Sequence, residues 1–572
     1  MRLRGLRRTF SAGAALAWLA AGPGIAQAPH HQHYAEPEEG SEQAAPDGSL
    51  APRLQDLGAH TFPVTTASEA AQRYIDQGFN LAYGFNHAEA GRSFREAARL
   101  DPDCAMAYWG EALVLGPNIN APMDPADEPR AYELAQQALA LGDKASERER
   151  AYIRALAERY SGDAADRAAR DQAYAAAMAE VARRYPDDLD AATLYVESVM
   201  DLRPWGYWMP DGTPYEGTAE IVALTESVIA RHPEHPGALH LYIHLMELHA
   251  PEKAEAAADR LLTLMPGAGH VVHMPSHIYQ RLGRYADSAR ANELAIAADE
   301  DYISQCRAQG LYPMAYYPHN VHFLWFAATM EGRGAVAVEA ARKVASKVDD
   351  AALSELPLLA AFRVIPYFAL TRFGHWDEML AEPAPPAESL FLAGIWHYAR
   401  GLAFLAKGEI DAAEVELREV ERLAAGDGLD VTLFSPNTAR AILAIAPEVL
   451  GGEVAAARGD FDRSIARLER AVRLEDGLVY TEPAEWHYPP RHALGAVLLA
   501  AGRAPEAETV YWQDLRRHPD NGWALFGLAQ AIRAQGKDEQ AAAVERRFDE
   551  AWERADVELT ASRLLAPAAG GG

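Results

Sequence analysis

The chain has 572 residues, 49% apolar and 24% charged, with a formal charge of −29. Such a length supplies a large core or a long array of stacked units. Its acidity repels phosphate backbones, so nucleic acid is not an expected partner. The only cysteines, Cys104 and Cys306, are far apart in sequence, and no CxxC or other thiolate metal motif occurs, so no disulfide is expected.

The N-terminus reads as an export signal. MRLRGLRR is basic and carries no acid, SAGAALAWLAAG (11–22) is apolar, and Ala26-Gln27-Ala28 supplies the small residues of a cleavage site. The apolar run is too short for a permanent anchor. Arg7-Arg8-Thr9-Phe10 resembles a twin-arginine signal. Residues 1–28 are therefore expected to be a signal peptide of an exported, periplasmic protein with no membrane span in the mature chain. Residues 29–67, polar and rich in proline and glutamate at the start, are expected to be a disordered leader in which His30, His31 and His33 belong to a solvated tail.

From residue 68 the sequence becomes self-similar. In GFNLAYGFNHAEAGRSFREAARLDP, Gly78 stands in a first helix, Ala90, Phe94 and Ala97 in a second, and Pro102 ends the unit. Small residues let paired helices approach, and the aromatic fills the groove between pairs. A turn glycine followed by an aromatic or aliphatic residue recurs at Gly283, Gly374, Gly408, Gly459 and Gly502. Pro186, Pro233, Pro266 and Pro519 close other units, and Trp523 and Gly527 open a late one. This pattern resembles the tetratricopeptide repeat, whose period is ~34 residues. The resemblance implies an all-α, right-handed superhelical solenoid of ten to twelve helical hairpins. It is expected to fall into arrays at 68–380 and 388–562, broken at the proline-rich 381–388, with a frayed tail at 563–572.

The segment from His235 to Arg333 holds nine of the twenty histidines. They recur at matching distances before successive turns: His240 and His244, His273 and His277, His319 and His322. Offsets of four or three residues share one helix face, so three consecutive first helices are expected to present imidazoles to the concave wall. Neighbouring helices lie about 8–10 Å apart, and His–metal bonds are ~2.0–2.1 Å, so rings from adjacent helices can reach one ion. Lone buried histidines more often just hydrogen-bond to carbonyls. Recurrence on three helices is what favours ligation here. Imidazole donors outside the cytoplasm point to copper or zinc.

Several residues stand at the margin of this set. Glu247 and Asp301 are the nearest acids, and Tyr279, Arg281, Tyr316, Tyr317 and Asn320 are polar neighbours. If Pro275 opens its helix, His270 and His273 fall in the preceding loop. His487 and His492 lie several units away and are expected to stay apart. Glu111, near Asn118 and Asn120, reads as a capping or exposed acid rather than a general base. Trp205, Tyr207 and Trp208, in the loop at 202–217, are placed to cap the groove or to pack over an edge. Leu241 occupies the position of the zincin glutamate, so that mechanism is not supported. The reading is an exported protein that binds a transition metal through these histidines, with a small molecule or peptide in the groove. The alternatives are a metal-dependent oxidoreductase or hydrolase, and a scaffold that grips a protein without metal.

Overall fold

A computed structural model of the chain describes residues 48–565, apart from 307–311, 349, 351–352, 354–356, 387, 434–435 and 487. The expected signal peptide, residues 29–47, His487 and the tail after 565 lie outside the described residues. Those residues form helices and turns, with only isolated bridges in place of strands. Consecutive helices pack as twelve pairs, from Glu69–Tyr83 with His87–Leu100 to Gly522–Arg533 with Asp538–Ala551. No helix among them is long and apolar enough to cross a membrane.

The packing rule read from the sequence is visible at both ends of the array. A Cβ added to Gly78 would meet the Phe94 ring at 2.7 Å, and one on Gly110 would meet the same ring at 2.5 Å. Near the C-terminus, Gly495 and Gly527 hold the Tyr511 ring, where a Cβ would come within 2.3 and 2.2 Å. In each case the ring lies sixteen residues from either glycine. A bulky side chain from the second helix of a pair thus sits in notches on the first helices before and after it. Turn geometry follows the sequence as well. Gly283 has φ +78° and Gly332 φ +76°, and Arg284 N–H and Arg333 N–H bond back to the Tyr279 and Ala328 carbonyls at 2.8 and 2.9 Å. This left-handed helix stop favours glycine. The chain has the helical-hairpin organisation of a tetratricopeptide-like solenoid.

Both ends of the array turn back onto its middle. Residues 48–67, expected to be the end of a disordered leader, instead form an ordered strap. Phe62 is fully buried and stacks on Phe79 with ring centroids 3.9 Å apart. Strap amides are bonded along its length: Leu54 to Gln77, Phe62 to Asp76 and Val64 to Gln72 (2.9–3.0 Å), and the Asp56 carbonyl accepts from Gly267 N–H at 2.8 Å. Buried aromatic area and satisfied amides outweigh the polar composition that suggested disorder. At the other end, Trp523 donates to the Thr329 carbonyl at 2.8 Å, Arg554 pairs with Glu331 at 2.6 Å, and Asp556 accepts from Gly334 N–H at 2.6 Å. The start of the tail is also docked: Arg563 pairs with buried Glu453, and Leu565 is buried.

The apolar core divides into two large clusters and a small one of Ala192, Val228 and Ala238, with no boundary at 381–388. Of the large ones, one holds residues 51–316 and the other residues 285–565, and they meet along the helix Tyr285–Cys306, which gives Ala291 and Tyr302 to the first and Tyr285 and Ile296 to the second. The proline-rich stretch only links helices within the second cluster. Cys104 is a buried free thiol.

Replacing Phe62 with alanine removes the strap's aromatic anchor. It is expected to lower the unfolding free energy by about 3–5 kcal/mol, measured by denaturant unfolding. A disordered leader would give no change.

Candidate metal centre

The helices Pro236–Met246, Pro275–Arg281 and Tyr317–Met330 each carry a proline in the first turn, where no N–H is needed. Pro275 does not, however, leave its predecessors in a loop. Met274 has helical backbone angles (φ −50°, ψ −39°) and its N–H bonds to the His270 carbonyl at 3.1 Å. The short helix Gly269–His273 therefore runs on into Pro275–Arg281 as one bent column. His270, His273 and His277 all project from it.

Two groups of three imidazoles result. One is His240, His244 and His270, the other His273, His277 and His319, and within each group the available nitrogens lie within 4.8 Å of one another. Five of the six expected ligands are thus brought together, in two sets rather than one. His322 is not among them: its ring stacks on Trp325 (centroids 5.2 Å apart) and meets the edge of Phe362 at 5.7 Å. Three residues along a helix leave a side chain about 60° off the starting direction. Phe323, one residue further, is the one that comes round against His273, His277 and His319. His270 fills the place that the sequence reading gave to a third pair.

Proton positions, assigned from the hydrogen-bond network, decide what these rings can do. His240 Nδ1 donates to the Tyr83 carbonyl at 2.6 Å. His273 Nδ1 donates to Asn292 Oδ1 at 2.7 Å, whose Nδ2 in turn donates to the Ser288 carbonyl. Both histidines are left with a bare lone pair on Nε2. His277 Nδ1 meets the Glu482 carboxyl group, so its Nε2 is bare when Glu482 is ionised and carries the proton when Glu482 is protonated. Yet His273 Nε2 and His277 Nε2 face each other at 2.9 Å, and His240 Nε2 and His244 Nε2 at 3.1 Å. Each contact is met either by one ring's Nε2–H donating to the other, a tautomer open to His244 and, beside a protonated Glu482, to His277, or by a cation that takes both lone pairs.

The imidazolium form is disfavoured. Burial pushes His240 and His319 down to about 4. Burial first, and then mutual repulsion, holds His244, His270, His273 and His277 well below the usual histidine range. All six are neutral at pH 7, the form that binds metal. Neither ring nitrogen of buried His270 has a protein hydrogen bond among the described residues. A Nδ1–H tied to a carbonyl or amide oxygen, with Nε2 aimed at a common point, is the arrangement in which metal-ligating histidines are oriented. The residues fit a transition metal.

Two carboxylates complete the site. Glu247 is 1% exposed, with one oxygen 3.5 Å from His244 Nδ1 and the other 3.2 Å from His277 Nδ1. Glu482 arrives from the returning C-terminal units to touch His277. Burial, and then Glu482, raise Glu247 well above the carboxylate range, and burial raises Glu482 to about 8. Aromatic rings wall the first group: Phe85 lies 4.4 Å from His240, Tyr316 4.4 Å from His270, and Trp205, 45% exposed, sets its edge 5.1 Å from His244. Trp205 thus caps the group, Tyr207 is buried beneath the same loop, and Trp208 Nε1 ties that loop to the Leu245 carbonyl.

A third cluster escaped the sequence reading. His60 from the strap and His235 place Nε2 2.9 and 3.3 Å from the same oxygen of Asp190, which also accepts from the Tyr83 hydroxyl at 2.7 Å. His235 Nδ1 caps its own helix by accepting from Ala238 N–H at 3.2 Å. Its lone pair is used and its proton faces an acid, so this is a hydrogen-bond network rather than a ligand set.

The remaining candidates have other duties. Glu111 pairs with Arg95 and Arg130, Asn118 accepts from Asn120 N–H in its own turn, and Asn320 donates to Asp299 rather than to a histidine. Asp301 holds Gln305, Tyr279 donates to Asp259, Tyr317 donates to Glu300, and His492 lies between Arg372 and Asp514.

No protein-family model and no curated protein matches the chain. Among solved structures, a human IFIT1 dimer with m7Gppp-AAAA aligns over 85% of this chain and 90% of that one, at 10% identity and a TM-score of 0.29. The APC/C hetero-tetramer Cut9-Hcn1 aligns over 88% and 97%, at 12% identity and a TM-score of 0.28. TM-scores of this size establish no shared function.

Substituting His235 with alanine takes one donor from buried Asp190 and removes a helix cap. The expected loss of stability is about 1–3 kcal/mol, with metal content per folded molecule unchanged by elemental analysis. Loss of metal would make the third cluster a ligand set after all.

Proposed function

We propose that this chain is an exported, tetratricopeptide-like protein that binds a transition metal, copper or zinc, through His240, His244, His270, His273, His277 and His319. One observation carries the reading: six imidazoles gather into two groups of three, with the ligand nitrogens of each group within 4.8 Å of one another. Such groups give a cation its donors, and a plain scaffold has no use for them. The basic and apolar N-terminal segment supports action in the periplasm.

A metal-dependent enzyme is the second reading. Each group offers three imidazoles, and three protein ligands leave a coordination position for substrate or water. His319 is only partly buried, and exposed Trp205 borders the other group.

Protein purified from the periplasm is expected to carry metal that a chelator removes and the same ion restores. Its melting temperature should rise on reloading, since metal at a hundredfold its Kd adds about 2.7 kcal/mol. His273→Ala should lose most of the metal in its group while far-ultraviolet circular dichroism stays unchanged. Equal metal content in both proteins would defeat the site as described.

A further inference from the structure

The two groups are not separate sites. Their rings close a circuit, with centroid separations of 4.9 Å for His240–His244, 5.9 Å for His244–His277, 4.8 Å for His277–His273, 5.8 Å for His273–His270 and 5.1 Å for His270–His240. His319 adds to the second group, 4.9 Å from His273. Six imidazoles exceed the four that a tetrahedral ion takes. The set divides naturally into two threes, as its nitrogens already do.

Glu247 links the halves. It lies against an outer nitrogen of one ligand from each group, and neither of its oxygens has a hydrogen bond among the described residues. A cation on either side would supply that carboxylate with a partner. Three imidazole nitrogens without a carboxylate among them suit copper, and three-coordination suits its cuprous form.

We infer that the six histidines form a binuclear copper centre, one ion on His240, His244 and His270 and the other on His273, His277 and His319, bridged in its oxidised form by a small oxygen anion. The inference rests on the metal-binding reading above and adds the number, identity and coupling of the ions. Oxidation removes one electron from each Cu(I), taken in vitro by two equivalents of ferricyanide. The added charge draws a hydroxide from water into the space between the ions, and its proton leaves to solvent.

Metal-free, full-length mature protein is titrated anaerobically with Cu(I) against bicinchoninate, then oxidised with ferricyanide and frozen for electron paramagnetic resonance. Two copper ions per chain are expected, with an integrated Cu(II) signal well under half of the copper present, because bridged spins couple. The double variant His240→Gln/His244→Gln should bind one ion and show close to one spin per copper; His273→Gln/His277→Gln should do the same from the other side. One copper per wild-type chain, or two with full signal, overturns the pair and leaves a metal-binding protein standing. No copper bound, with zinc bound instead at one or two ions per chain, overturns copper alone. No metal of either kind defeats the earlier reading as well. The wild-type measurement decides the matter even if the variants do not fold.

Discussion

Imidazole nitrogens held 2.9 Å apart in a buried site depend on the rest of the architecture to keep their positions. His273 cannot rotate away because its other nitrogen is fixed to Asn292, and Asn292 is fixed to the Ser288 carbonyl within the next helix. His240 is fixed in the same way by the Tyr83 carbonyl, which comes from the first helix of the array. Gly237 makes that approach possible, since a Cβ there would strike the Tyr83 ring at 2.4 Å. Rings fixed in this way would need no rearrangement to receive a cation, which is how a preorganised site differs from a flexible one.

The array achieves this rigidity by closing on itself. An open solenoid lets each unit touch only its neighbours. Here the strap at 48–67 crosses the first helix and reaches residue 267, and the last units cover the turns at Gly283 and Gly332. The histidine-bearing hairpins therefore lie between two cores rather than along a free concave wall. That placement explains the low titration points of the rings: they are removed from water on every side except near His319 and Trp205.

Helical spacing carried most of the design into the sequence. The i, i+4 pairs at His240/His244 and His273/His277 and the glycine notches around Phe94 are local, and a helix's 3.6-residue turn reports them faithfully. What failed was anything decided by distance along the chain. Glu482 is 205 residues from His277 and no spacing predicts it. His60 and Asp190 meet only because the strap is ordered. His322 shows the other limit: an i, i+3 partner lies close enough on a helical wheel to look shared, yet an aromatic neighbour one residue on took the inward direction. His270 was obscured by Pro275, whose ring usually marks a helix start but here sits inside a bent one.

The delivery of Glu482 by the C-terminal units has a consequence for stability. That carboxylate reaches His277 only when those units are docked on the middle of the array, through contacts such as Trp523 with Thr329 and Arg554 with Glu331. A cation on His277 attracts the carboxylate in the docked state and not in an undocked one. Linkage is reciprocal, so whatever free energy the docked half adds to metal binding, the metal adds to docking. On the proposed metal binding, the second core and the ion would stabilise one another. The contact of Glu482 with His277 joins the long-range ties already made by Trp523, Arg554 and Asp556.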